Sequence, residues 1–184
     1  MSRLCRLTLT FLFVFFPFIA HAQWYKHSFK VMGTMSHVEF WLDQQSKTDN
    51  DIINAGVAQN EQAQALIKAV ELEMVRIDQQ MSPYKEQSEL SLVNRSADKK
   101  PVLISGELFE LLSTAQHISA LSDGAFDITY ASIGYQYNYR EKTRPSQSSI
   151  VQTLPAINYT AISLDKKRST VYFNHQGMKI DLGG

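Results

Sequence analysis

The sequence predicts an α+β domain, with a mixed or antiparallel sheet and two long helices, and three observations support this prediction. Apolar residues recur in steps of three and four along residues 63–81 and 105–118, as on one face of a helix. Short runs rich in aromatic and β-branched residues precede and follow these helices. Strands and helices do not alternate regularly, which favours a mixed domain over a doubly wound parallel sheet.

The composition is that of a globular protein large enough for one sizeable core. The chain has 184 residues, of which 44% are hydrophobic and 20% are charged. Its 18 Lys and Arg residues balance 18 Asp and Glu residues, so charge gives no indication of nucleic-acid binding.

The first 22 residues have the pattern of a bacterial export signal. Arg3 and Arg6 precede an apolar run over residues 7–20, and small residues end the segment at Ala22. We therefore predict cleavage after Ala22, with an uncleaved membrane anchor as the alternative, although the run is shorter than the roughly 20 residues of a spanning helix. The single cysteine, Cys5, would leave with the signal, which excludes cysteine chemistry in the mature chain.

Residues 25–42 predict a hairpin whose tight turn is Met32-Gly33-Thr34. The polar residues 43–60 predict an exposed connection with a helical end. The first long helix should then end before Pro83. Its predicted apolar face consists of Ala63, Ile67, Val70, Met74, Ile77 and Met81.

The second long helix is predicted to begin at an N-cap, Ser105, and to end before Gly124. Its predicted apolar face consists of Leu108, Leu111, Ala115 and Ile118. Beyond it, the sequence predicts one or two helical turns over residues 149–154 and three short strands, over residues 159–164, 170–173 and 178–182.

Three turns could contact a ligand, and each also has a purely structural interpretation. After the second helix, Phe126 offers an aromatic surface and Asp127 a hydrogen-bond acceptor, but the segment could be a plain C-cap turn with Phe126 in the core. Tyr84 could pack on a ligand ring, or the segment could merely stop one helix and start another at Ser88. Met32 could face a ligand or be buried.

Residues Lys179–Gly184 have the composition of a strand followed by a phosphate-binding turn, although the two glycines could equally be a frayed end. The sequence contains no nucleophile elbow, Walker loop or Gly-x-Gly-x-x-Gly fingerprint. Its mature histidines also lack metal-ligand spacing. These are His27, His37, His117 and His175.

Taken in order, five motifs resemble those of the ApbE-like family, the FAD:protein FMN transferases. The resemblance implies an ApbE-like, T-fold-like domain, of which residues 23–184 would be an incomplete, N-terminal part. The motifs are Val31-Met32-Gly33-Thr34, Met81-Ser82-Pro83-Tyr84, Ser88-Glu89-Leu90-Ser91 with Asn94, Ser122-Asp123-Gly124-Ala125-Phe126-Asp127-Ile128-Thr129 and Ile180-Asp181-Leu182-Gly183-Gly184.

The resemblance implies a periplasmic, Mg²⁺-dependent enzyme that cleaves FAD and attaches FMN to a Thr or Ser of a partner protein. The family's partners are subunits of Na-pumping NADH:quinone oxidoreductase and Rnf-type complexes, and an inner-membrane association is also compatible with it. An FAD pyrophosphatase and a non-catalytic periplasmic flavin-binding protein are the alternatives.

Carried onto this sequence, the family's flavin contacts fall on six residues, and no catalytic residue is assigned. The ligands of the metal are expected C-terminal to Gly184, so activity of this chain by itself is not expected. The six flavin contacts are Met32, Tyr84, Ala125, Phe126, Asp127 and Gly183.

Overall fold

The computed structural model describes residues 23–42, 52–138 and 140–183, so the expected export signal lies outside the described residues. It confirms the mixed α+β fold with antiparallel pairing. The strands are β1 (Gln23–Val31), β2 (Thr34–Leu42), β3 (Val102–Leu103), β4 (Ile162–Asp165) and β5 (Thr170–Phe173). The helices are α1 (Ile52–Met81), α2 (Glu89–Ser96), α3 (Gly106–Leu121), α4 (Ala131–Gly134) and α5 (Gln147–Thr153).

The chain forms two compact units, and the first holds most of the β1–β2 hairpin together with α1 as far as Ala69. Tyr25 stacks on Phe40 across the hairpin, with ring centroids 5.7 Å apart. The amide of Gln59 on α1 donates a 2.9 Å hydrogen bond to the backbone oxygen of Leu42, the last residue of β2. The ring stack joins the two strands of the hairpin, and the hydrogen bond joins the hairpin to α1 within the first unit.

The second unit comprises Lys30–Met35 and Val70–Gly184. Its sheet has the antiparallel order β3-β5-β4, and β5 lies in the middle. Side chains from α2, α3 and this sheet form one apolar core, whose fully buried members include Leu90, Leu108, Leu112 and Phe173. Met178 and Ile180 from the C-terminal segment complete it.

Both predicted N-caps are confirmed. Ser88 Oγ accepts a hydrogen bond from the backbone N–H of Ser91, and Ser105 Oγ accepts one from Leu108. Gly124 follows α3 with φ +79°, a conformation that suits glycine, and its N–H bonds back to the carbonyl of Ser119.

The predicted apolar faces are only partly correct. Leu111 and Ile118 of α3 are exposed, whereas Leu112 and Ser119, one position further along, are buried. Phe109 is buried as well. The face of α3 that contacts the core therefore lies about one residue further along the chain than the predicted face. On α1, Ala63 and Ile67 are buried as predicted, while Val70 is exposed.

The expected extent of the connection before α1 and the last predicted strand are wrong. α1 begins at Ile52, so half of the expected connection over residues 43–60 is helical, since its Ala and Gln residues favour a helix and no proline interrupts it. Residues 178–182 do not form a strand, because side chains rather than a neighbouring strand form hydrogen bonds with the backbone groups of Lys179 and Ile180.

In the 52–138 and 140–183 ranges, no helix is both long and apolar enough to span a bilayer.

Candidate functional site

Tyr84 lies on a turn that is firmly anchored, yet its own side chain is 87% exposed. The turn follows α1, and Ser88 Oγ donates a 2.6 Å hydrogen bond to the backbone oxygen of Ser82. Ser91 Oγ donates to the oxygen of Pro83 at 3.2 Å. Ser88, the N-cap of α2, and Ser91 within α2 thus fix the backbone of the turn that carries Tyr84. The ring of Tyr84 remains available to a ligand.

An open cleft of about 450 Å³ lies beside this turn. It combines two aromatic rings, the cations of Arg95 and Lys179, one carboxylate and two short polar side chains. Such a lining suits a ligand that has both an aromatic ring and an anionic group. The lining residues are Pro83, Tyr84, Glu86, Ser91, Asn94, Arg95, Tyr135 and Lys179.

The C-terminal motif is held at the cleft by a side-chain amide. Asn94 Oδ1 accepts a hydrogen bond from the N–H of Ile180 at 2.8 Å, and its Nδ2 donates to the oxygen of the same residue at 2.9 Å. The hydroxyl of Tyr135 donates to that oxygen at 3.0 Å. Both backbone groups of Ile180 are therefore paired with side chains that line the cleft.

Tyr135 lies partly buried beside the C-terminal motif. Burial raises the pKa of the Tyr135 phenol well above its usual value of about 10, and the nearby Asp181 carboxylate raises it further. A hydrogen bond from Asn94 opposes the shift. Tyr135 thus stays protonated, and it can donate a hydrogen bond throughout the physiological pH range.

The turn after α3 meets the C-terminal motif through the backbone, where the N–H of Asp181 donates to the oxygen of Ile128 at 3.1 Å. Asp127, directly before Ile128, caps the 3₁₀ turn Ile128–Tyr130. Its Oδ1 accepts from the backbone N–H and the hydroxyl of Thr129, at 2.8 and 2.6 Å. Its Oδ2 accepts from the N–H of Tyr159 at 3.0 Å. The carboxylate of Asp127 therefore holds the fold locally.

The other expected ligand contacts are accessible. Phe126 is 43% exposed rather than buried in the core, and Ala125 beside it is exposed. Gly183 is exposed as well, and its N–H bonds to Asp181 Oδ1 at 3.0 Å. Met32, at the tip of the hairpin, is 50% exposed and has φ +52°, a strained conformation for a residue with a side chain.

Of the six expected contacts, Tyr84 alone lines the cleft. The segments of Gly183 and residues 125–127 connect to it indirectly, through hydrogen bonds of Asp181 to Gly183 and to Ile128. Met32 belongs to the same compact unit, but the contacts that join the other three do not include it.

Sequence reasoning missed four residues that line the cleft, namely Glu86, Arg95, Tyr135 and Lys179. The first three lie where no motif or apolar period singles out a residue, and Lys179 was noted only as part of the C-terminal run. The aromatic run that begins at Tyr135 was the one available signal.

The described ranges contain no cluster of three or more His, Cys, Asp or Glu side chains able to hold a metal ion. The cleft itself offers one carboxylate, that of Glu86, beside the cations of Arg95 and Lys179, a lining that suits an organic anion.

Comparison with known proteins gives one consistent family. The profile of the ApbE family matches residues 32–184. The chain is 27% identical over 149 residues to an FAD:protein FMN transferase of Haemophilus influenzae, covering 77% of this chain and 39% of that protein. It is 31% identical over 110 residues to one of Chlamydia trachomatis, covering 59% and 35%.

Solved structures agree on the fold. The crystal structure of an ApbE protein from Thermotoga maritima superposes with a TM-score of 0.70 at 24% identity, over 88% of this chain and 48% of that one. The flavin transferase ApbE of Vibrio cholerae gives a TM-score of 0.70 at 17% identity, over the same shares. The chain thus spans less than half the length of the relatives it matches. The profile match over residues 32–184, most of the chain, shows that the chain belongs to the ApbE family.

Proposed function

We propose that this chain supplies the flavin-binding portion of an FAD:protein FMN transferase, an enzyme that moves FMN from FAD to a Thr or Ser of a partner flavoprotein. The observation that carries the proposal is Tyr84, exposed on an anchored turn beside a cleft that also holds Arg95 and Lys179. The ring can pack on an aromatic face of FAD, and the two cations suit its pyrophosphate. The names of the matched relatives support this choice of ligand.

In the proposed reaction, the hydroxyl oxygen of the acceptor attacks the phosphorus on the FMN side of the pyrophosphate. A phosphoester bond to the acceptor forms, the bond between the two phosphates breaks, and AMP leaves, while the hydroxyl proton passes to solvent or a base. If water takes the place of the acceptor, the same bond breaks and the products are FMN and AMP. The described residues bind and orient FAD in this scheme.

The proposed reaction is Mg²⁺-dependent, because a cation offsets the charge that develops on the phosphates. No step is assigned to a metal ligand of this chain, because the described residues contain no cluster of three or more His, Cys, Asp or Glu side chains that could hold a metal ion.

The proposed setting is the periplasm, with the first 22 residues acting as the export signal or as an inner-membrane anchor. The proposed acceptors are subunits of Na-pumping NADH:quinone oxidoreductase or Rnf-type complexes, which present their acceptor residue outside the cytoplasm. The export pattern at residues 1–22 supports this setting.

The proposal is tested by titrating FAD with the purified chain in the presence of Mg²⁺ and following flavin fluorescence. We expect saturable quenching that Tyr84→Ala weakens by about tenfold, since stacking on an aromatic ring contributes on the order of 1–3 kcal/mol. Trp41→Ala is the matched control, because Trp41 is an aromatic residue of β2 that is 52% exposed and belongs to the first unit. A folded chain that does not quench FAD fluorescence would refute the proposal.

A second assay separates the candidate activities. Labelled FAD is incubated with the chain and an acceptor peptide that contains Thr, and the products are analysed. FMN on the peptide supports the transferase, and free FMN with AMP supports the pyrophosphatase. Binding without turnover agrees both with a non-catalytic flavin-binding protein and with a flavin-binding portion whose metal ligands lie C-terminal to Gly184.

A further inference from the structure

The backbone of the C-terminal motif is positioned by side chains instead of by a sheet. Residues 178–182 form neither helix nor strand, although Met178 and Ile180 belong to the core and are only 1% and 0% exposed. A buried backbone segment needs partners for its N–H and C=O groups. At Ile180 both partners come from Asn94, which lies 86 positions earlier in the chain.

Asn94 commits one donor and one acceptor of its amide to a single residue. Its Oδ1 accepts from the N–H of Ile180 at 2.8 Å, and its Nδ2 donates to the C=O at 2.9 Å. An asparagine amide that pairs with both groups of one residue fixes both the position of that residue along the chain and the rotation of its backbone. Ile180 is followed at once by Asp181 and, two residues later, by Gly183.

Further contacts extend this arrangement on both sides of Ile180. Ser132 Oγ accepts from the N–H of Lys179 at 3.0 Å and lies 3.2 Å from its oxygen, so it engages the preceding residue. The hydroxyl of Tyr135 donates to the oxygen of Ile180. The N–H of Asp181 is bound by the oxygen of Ile128. Of these partners, Asn94 is the one that engages both backbone groups of Ile180.

We propose that Asn94 is a positioning residue, whose two hydrogen bonds to Ile180 set the orientation of residues 180–183 at the cleft and thereby the affinity for FAD. The inference rests on the proposed function, since FAD is the ligand. Asn94 acts through the backbone of Ile180, and the expected flavin contact that it positions in this way is Gly183.

The test compares Asn94→Ala, Asn94→Asp and Asn174→Ala in the full chain. Asn94→Ala removes both hydrogen bonds, whereas Asn94→Asp keeps the acceptor for the Ile180 N–H and loses the donor. Asn174→Ala is the matched control, because Asn174 Nδ2 also donates to a distant backbone oxygen, that of Ala161, at 3.1 Å. Each variant is measured for thermal midpoint, FAD dissociation constant and amide hydrogen exchange at Ile180 without FAD.

We expect Asn94→Ala to speed exchange at Ile180 and to weaken FAD binding by about tenfold, the size of effect that outer partners of a binding site often have. Asn94→Asp should fall between this variant and the parent in both measurements. Asn174→Ala should change neither, even where its thermal midpoint falls by as much.

Three results would overturn the inference. Weaker FAD binding with unchanged exchange at Ile180 would mean that Asn94 contacts the ligand itself. Equal losses of affinity in Asn94→Ala and Asn174→Ala at matched thermal midpoints would mean a general loss of stability. Unchanged affinity in Asn94→Ala with faster exchange would mean that the orientation of residues 180–183 does not matter to FAD. A parent chain that binds no FAD refutes the proposed function instead, and exchange at Ile180 still shows whether Asn94 holds the segment.

Discussion

Replacing Asp127 by alanine should destabilise the second unit substantially, although Asp127 is also an expected flavin contact. The carboxylate accepts three hydrogen bonds, two from Thr129 and one from the N–H of Tyr159. At about 1 kcal/mol net for each, the free energy of unfolding should fall by about 3 kcal/mol. In a chain of this size that corresponds to a fall in Tm of about 6–12 °C.

Circular dichroism during thermal and urea unfolding measures this loss, and Asp127→Asn refines it. Asparagine can keep both bonds from Thr129 but turns a donor toward the N–H of Tyr159, so we expect a loss of about 1–2 kcal/mol. Asp123→Asn is the control, because Asp123 lies exposed in the same turn at φ +51°, which asparagine tolerates. Its effect should stay within about 0.5 kcal/mol. A loss in Asp127→Ala no larger than that of this control would refute the structural role of the carboxylate.

Three further changes have clear expected outcomes. Met32→Asn places asparagine before Gly33, and this pair is preferred in two-residue hairpin turns, so the Tm should rise. FAD titration should show weaker binding, since the Met32 side chain is lost. An unchanged affinity for FAD would mean that Met32 is not a flavin contact. Because the folded-state pKa of Tyr135 is raised, its contribution to stability is present below pH of about 10 and is lost as pH rises further. An alkaline absorbance titration should therefore contain a late component that Tyr135→Phe removes, and its persistence would contradict the assignment. Ser88→Ala should lower the unfolding free energy by about 1 kcal/mol in urea through loss of the N-cap, whereas Ser148→Ala on the exposed helix α5 should leave it nearly unchanged.

Local signals in the sequence predicted the N-caps of α2 and α3 and the C-terminal ends of the two long helices, but not the start of α1. Ser88 and Ser105 are N-caps, Pro83 follows the first helix and Gly124 the second, because each of these residues acts on backbone groups within one turn of itself. The hairpin turn at Gly33 was equally predictable, since two successive residues with positive φ are needed there.

Features that depend on distant residues could not be predicted in this way. The pattern of residues 178–182 is that of a strand, and nothing near it in sequence reveals that Asn94 satisfies Ile180. The two-residue strand β3 is too short to give a periodic signal, and it exists because β5 pairs with it. The resemblance named Asp127 as a ligand contact, but only the structure shows that its carboxylate also holds Thr129 and Tyr159.

The side-chain pairing of Ile180 also bears on the solubility of the protein. An apolar segment such as residues 178–182 would be an aggregation hazard if its backbone groups faced outward as an open strand edge, because another chain could pair with it. Here Asn94 already occupies both the N–H and the C=O of Ile180, so a second copy of the segment finds no free pair of groups at its most apolar residue. The amide thus leaves no backbone N–H of Ile180 open to strand pairing at the point where the sequence most resembles a strand.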